Sequence, residues 1–213
     1  MDQIIKTYPC IPFGELNYCH KDGIMYQRDM TTSVDYGESY FEHYVKIENS
    51  DIANKLNKGR TEITEKYCRT LLDIGIGSGE FIRASNLKVY GFDINPVGVR
   101  WLDEKGLFLD PYASPPQVDG FAFWDSLEHI PEPHKILALV PAGGYIFVSM
   151  PIFVDLLWVR KSKHYKPNEH YYYFTGSGMV KWLTDSGFQI VEVSDLETRA
   201  GREDILTFVF RKA

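Results

Sequence analysis

The sequence is short of cysteine, of basic charge and of long apolar runs, and each shortage closes off a class of protein. Only three cysteines occur among 213 residues, Cys10, Cys19 and Cys68. A small, odd count gives no disulfide framework, so a reducing, cytoplasmic setting is expected. Cys10, Cys19 and His20 lack a second close pair of ligands, so no closed zinc site is expected and no metal is assigned. Lys and Arg number 23 against 29 Asp and Glu, a formal net charge of −6. That balance argues against a nucleic-acid acceptor, because non-specific affinity for duplex comes from neutralising phosphates. The longest apolar stretch, residues 145–159, contains Pro151 and Asp155 and is too short to span a bilayer. The opening residues MDQIIKTYPC have no apolar core of a signal peptide. No internal repeat and no low-complexity segment is visible.

What is present has a globular composition. Hydrophobic residues make up 44% and charged residues 24%, which excludes a disordered tail. Aromatic residues reach 15%, enough for either a ring-rich core or a ring-lined pocket. The segment LNYCHKDGIMYQRD predicts a hairpin turning at Lys21-Asp22-Gly23. Residues 36–67 predict helices over roughly Ser39–Glu48 and Asp51–Cys68, with a break at Gly59. From residue 69 onward short apolar runs alternate with helical patterns. RTLLDIG, LKVYGFDI, LFLD, GFAFWDSL and GGYIFVSMP read as strands; NPVGVRWLDEKG, EPHKILALVP and GSGMVKWLTDSGF read as helices. FQIVEVSDLE and ILTFVFRKA end the chain without an obvious helix between them, as an antiparallel hairpin would. The fold class is therefore α/β: a doubly wound, mostly parallel, Rossmann-like sheet of about seven strands with an antiparallel edge. Residues 1–68 form a small extension of hairpin and helices, and residues 69–213 the main domain.

Ligands of such sheets sit beyond the carboxyl ends of the strands, at the switch point. LLDIGIGSGEF lies there, with Gly75, Gly77 and Gly79 two residues apart ahead of a helix start. Glycine lets the backbone turn tightly and approach a ligand. A dinucleotide site prefers G-x-G-x-x-G; here the third glycine is one residue early and Asp73 stands just before the turn. A carboxylate repels pyrophosphate and suits a cationic ligand such as S-adenosylmethionine. Asp93 ends the next strand, where an acid can accept both ribose hydroxyls. The alternative for Asp73 and Asp93 is simple turn and helix capping.

These residues resemble the class I S-adenosylmethionine-dependent methyltransferases over about residues 69–213. LLDIGIGSGEF is similar to that family's first motif and YGFDINP to its acidic second motif. FAFWDSLEHIP is similar to the fourth motif in the form D-x-LEH-[IV], found in the branch with ubiquinone-pathway and sugar methyltransferases. GGYIFVSMP and EHYYYFTGSGMVKWLTDSGF follow in the family's order. The resemblance implies S-adenosylmethionine as cofactor, with Asp73, Gly75, Gly77 and Gly79 at its methionyl end. It implies Asp93 on the ribose, Ile94 on the adenine, Asp110 at the adenine amino group, and Trp124, Asp125 and Ser126 beside the sulfonium. FIRASN and PYASPPQVDG stand where the family has longer helices. In the extension, SYFEHY resembles the helix that precedes the catalytic domain of sugar-modifying members.

The chemistry that follows is methyl transfer to an oxygen or nitrogen of a small-molecule acceptor, with no membrane partner. His129, just past the fourth motif, is either the base beside the acceptor or a capping histidine. His170 and Tyr172 either touch the acceptor or belong to a structural tyrosine cluster. IFVDLLWVRKSKHYK is either a lid with a cationic end or a solvated basic surface. The rival readings are a nucleic-acid or nucleotide methyltransferase, and a non-catalytic cofactor-binding protein of the same fold. Against the first, WDSL stands where amino-methylating DNA enzymes carry Asn/Asp-Pro-Pro-aromatic.

Overall fold

The computed structural model describes residues 2–29 and 50–213. The helix expected over Ser39–Glu48, with SYFEHY, lies outside the described residues.

Strands β1 (Ile11–Phe13), β2 (Leu16–Cys19) and β3 (Ile24–Gln27) run antiparallel, turning where expected between Cys19 and Ile24. Ile11 lies opposite Tyr18, so Cys10 falls beside Cys19, and the two are joined in a disulfide. An odd cysteine count conceals this bridge; the register of one tight turn supplies it.

Helix α1 (Asp51–Glu65) starts on Ser50, whose hydroxyl accepts from the Ala53 N–H at 3.2 Å. It passes through Gly59 unbroken, and a β-carbon there would lie 3.4 Å from the Leu196 side chain.

The main sheet is built from β4 (Thr70–Ile74), β5 (Lys88–Phe92), β6 (Gly120–Trp124), β7 (Tyr145–Pro151), β9 (Phe188–Ser194) and β10 (Ile205–Lys212). The order is β5-β4-β6-β7-β10-β9. The first four are parallel, and β10 is antiparallel to both β7 and β9. Residues 107–110 do not form the expected seventh strand. Only a bridge between Gly91 and Phe108 survives there. Gly106 and Pro111 confine that piece to four residues.

Both faces of the sheet's central strands β4, β6 and β7 are buried, as a parallel sheet requires, while the edge strand β9 is largely exposed. Alternate residues of β6 serve opposite cores: Phe121 and Phe123 join one, Ala122 and Trp124 the other. The first core takes in α4 (Pro133–Ala138) and α5 (Gly176–Asp185) through Ile136, Leu137 and Trp182. The second takes in α1, α2 (Glu80–Ala84) and α3 (Pro96–Glu104) through Ile63, Phe81 and Leu102. A last short helix, α6 (Leu196–Arg199), links β9 to β10 where no helix was expected.

Strand β8 (Tyr172–Phe174) pairs with β3, so the N-terminal hairpin and the segment before α5 share one four-stranded sheet. Gly178, in the first turn of α5, packs directly on the backbone of Gly23 and Asp22, and a β-carbon there would collide with the Gly23 carbonyl. Gly178→Ala is therefore expected to destabilise the protein by about 1–3 kcal/mol through overpacking. Urea unfolding checks this. A neutral result would show that the hairpin is not seated on α5.

Candidate functional site

A cavity of about 660 Å³ opens at the carboxyl ends of β4, β5 and β6 and reaches the end of β7. This is the switch point, because the chain leaves β4 for β5 on one side and returns to β6 on the other. The cavity walls include Asp73, Gly75, Gly77, Asp93, Ile94, Trp124, Asp125, Ser126, His129 and His170. Ten of the thirteen expected site residues are thus brought together. Gly79, Asp110 and Tyr172 are not part of the wall.

Asp73 ends β4 fully buried, and its Oδ1 has no hydrogen-bond partner among the described residues. Burial pushes its carboxyl well above the usual range; the charge of Arg60 opposes this and that of Asp93 reinforces it. Gly75 follows with φ +79°, its N–H donating to the Phe92 carbonyl at 2.8 Å. A β-carbon on Gly75 would lie 2.9 Å from the Ser126 side chain, so only glycine lets the turn and the β6 loop meet. Gly79 instead turns against the Trp101 indole, behind the loop.

Asp93 braces this turn from the neighbouring strand. Its Oδ2 accepts from the Ile76 N–H at 2.9 Å and its Oδ1 from the Asn95 N–H at 2.8 Å. Burial raises its pKa, and these backbone donors pull the other way. The Ile94 and Gly77 N–H groups also face this carboxylate. Ile94 stands beside the cavity 70% exposed. Tyr112 also lines the cavity, its ring edge-on to Phe92 at 5.8 Å. Asp110 lies outside the wall, and its Oδ1 accepts from the Tyr112 N–H at 2.8 Å and so fixes that loop.

Asp125 carries the largest surprise. Its backbone is left-handed at φ +54°. Arg202 grips its carboxylate with two nitrogens, at 2.7 and 3.0 Å, and Arg60 approaches at 3.4 Å. Glu197, fully buried, closes the network by accepting from Arg60 at 2.7–2.8 Å and from Arg202 at 2.7 Å. Burial pushes the Asp125 carboxyl up, but the charge and hydrogen bonds of Arg202, then the charge of Arg60, hold it below the usual range. Asp125 is therefore committed to two arginines. Arg60 also lies over the Trp124 ring at 4.9 Å. Sequence reasoning missed Arg60, Glu197 and Arg202. Arg60 did leave a signal, since it falls between Leu56 and Ile63 on the apolar stripe of its helix.

The far end of the cavity holds Glu128, His129 and His170. The two imidazole centroids are 4.7 Å apart, edge to face. Glu128 is buried, neither of its carboxyl oxygens has a partner, and the Nδ1 of His129 has none. Burial, then the Asp125 charge, pushes the Glu128 carboxyl up to about 8. Burial lowers the pKa of His129, and burial with His129 beside it lowers His170 to about 3. Tyr172 faces away into the core, where its hydroxyl donates to the Pro131 carbonyl at 2.7 Å and accepts from the Asp2 N–H at 3.0 Å. It belongs to the structural tyrosine cluster. The segment read as either a lid or a solvated basic surface contains a short 3-10 helix, Leu156–Lys161, and of residues 152–166 only His164 and Lys166 reach the cavity.

A model of the methyltransferase domain matches residues 41–193. The chain belongs to the methyltransferase-domain family. Members of that family use S-adenosylmethionine. Nothing among curated proteins matches the chain. Solved structures share its fold at low identity. A methyltransferase from Archaeoglobus fulgidus is 20% identical over 82% of this chain and all of its own, with a TM-score of 0.60. The magnesium protoporphyrin IX methyltransferase of Synechocystis is 18% identical over 83% of this chain and 95% of its own, with a TM-score of 0.58. An N1-methyltransferase from Burkholderia thailandensis is 16% identical over 94% of this chain and all of its own, with a TM-score of 0.55.

Breaking the ion network from within should be costly. Glu197→Gln leaves two half-buried guanidinium groups sharing one carboxylate, and a loss of about 1–3 kcal/mol is expected. Chemical denaturation of the variant measures it. A change below about 1 kcal/mol would show that the network adds nothing to folding.

Proposed function

We propose that the protein transfers a methyl group from S-adenosylmethionine to an oxygen or nitrogen of a small-molecule acceptor. The observation that carries this reading is Asp73: a buried carboxylate with one unpartnered oxygen, beside a turn where only glycine fits. A buried acid in that state favours a ligand bearing positive charge, and S-adenosylmethionine bears a sulfonium and an ammonium without phosphate. The donor set fits the rest of that molecule. Asp93 presents its carboxylate at the cavity wall, where ribose hydroxyls would meet it, and Ile94 and Tyr112 offer apolar flanks for a base.

Bound S-adenosylmethionine supplies an activated methyl group and leaves as a neutral thioether. The chain's own residues then have three tasks: to hold the cofactor, to align the acceptor and to exclude water. Trp124 and Ser126, at the end of β6, stand between the cofactor turn and the histidine pair. His129 and His170 line the acceptor end, and His129 presents a partnerless nitrogen to an acceptor proton. The cavity has room for an acceptor of drug-like size next to the cofactor. The Burkholderia neighbour, crystallised with 1,6-didemethyltoxoflavin and S-adenosylhomocysteine, illustrates such a pairing on this fold.

Two measurements test the reading. Calorimetry is expected to show S-adenosylmethionine binding with NAD inert. A cation binds the ionised form of Asp73, whose pKa is raised by burial. Affinity should therefore rise with pH through that raised range and level off above it, while Asp73→Asn should bind weakly and lose the pH dependence. An unchanged profile in Asp73→Asn would remove Asp73 from the cofactor site. His129→Ala should slow turnover by about 10²–10⁴-fold and leave cofactor affinity intact. Full activity in that variant would remove His129 from the reaction.

A further inference from the structure

Glu128 has no task in the reading above, yet its position in the cavity is expensive. It is 1% exposed, and neither carboxyl oxygen has a hydrogen-bond partner among the described residues. The nearby cations are engaged elsewhere. Lys166 pairs with Glu169 at 3.3 Å, and Arg202 is divided between Asp125 and Glu197. A buried carboxyl without a partner calls for an explanation such as a proton, an ion or an unseen ligand.

Its neighbours indicate which. Glu128, His129 and His170 each present one ligand atom, and these atoms all lie within 4.8 Å of one another. The Nδ1 of His129 is also without a partner. The backbone holds the two segments together, since the Tyr171 N–H donates to the Glu128 carbonyl at 2.8 Å. We propose that Glu128, His129 and His170 bind one divalent transition-metal ion of the zinc type, with a coordination position open to the cavity. Two imidazoles and a carboxylate suit zinc or cobalt, whereas magnesium prefers an all-oxygen set. Three protein ligands leave a fourth position for water or acceptor, the pattern of a reactive rather than a structural site. Ligand bonds of about 2.0–2.2 Å require the three side chains to draw in by roughly an ångström. The site's existence is independent of methyl transfer. Its use rests on that reading: the ion would polarise the acceptor oxygen or nitrogen, and His129 would then act through the metal.

The test uses the full chain, freed of metal with a chelator and titrated with Co²⁺. One Co²⁺ per chain is expected, with the absorption bands of a four- or five-coordinate ion and displacement by Zn²⁺ but not by Mg²⁺. Glu128→Gln and His170→Ala should each weaken Co²⁺ binding at least about tenfold. Binding of S-adenosylhomocysteine should stay within about twofold of the parent, which shows that both variants are folded. Glu128→Gln nearly preserves shape, so it decides the matter should His170→Ala fail to fold. Absence of stoichiometric Co²⁺ at millimolar concentration, or unchanged affinity in Glu128→Gln, overturns the proposal and leaves Glu128 as a protonated acid. Co²⁺ bound at this site in a chain that ignores S-adenosylhomocysteine would sustain the metal site and sink the methyl-transfer reading instead.

Discussion

The geometry of the cavity depends on how Asp125 is held. Its left-handed backbone turns the chain sharply out of β6, and such a conformation persists only when its surroundings enforce it. Arg202 and Arg60 enforce it through the carboxylate, and Glu197 keeps both guanidinium groups in place. Four charges of opposite sign, two against two, come from α1, the β6 loop, and the helix and loop between β9 and β10. Only Glu197 and Arg202, five residues apart, are close in sequence. The network welds the front helix to the sheet ends, and it also sets what each acid can do. Asp125 spends its charge on two arginines and Asp93 its hydrogen bonds on the turn, whereas Asp73, like Glu128, retains a buried oxygen without a partner among the described residues.

Much of this was legible in the sequence, for reasons that are local. The β4 turn announces itself because strand, acid and glycines fall within seven residues. Asp93 follows because a parallel neighbour ends one crossover later. The N-terminal hairpin shows because its apolar runs lie within a few residues of each other. What was hidden is non-local. Nothing near Tyr172 says that its strand will pair with β3, since Tyr26 lies far back in the chain. That pairing buries Tyr172 and directs its hydroxyl into the core. The Cys10–Cys19 bridge depends on register rather than count. Glu197 and Arg202 sit in a polar segment whose composition is that of any loop. Their role exists only because a cation on the apolar face of α1 has to be neutralised.

The short elements are not losses without compensation. Helix α2 has five residues, and residues 107–110 make only a bridge, so one flank of the cavity should stand open. The Pro-rich loop closes it in another way. Asp110 accepts from the Tyr112 N–H and turns the chain back, and the Tyr112 ring packs edge-on against Phe92 at the end of β5. An acid that the motif order placed on the ligand has become the support for an aromatic that lines the cavity. What stands at the wall two residues further on is an apolar surface rather than a polar group. Apolar area in such a wall is less demanding of angle than a hydrogen bond. A trimmed sheet edge can therefore still enclose a flat ring, because packing tolerates the shift where directed polar contacts would not.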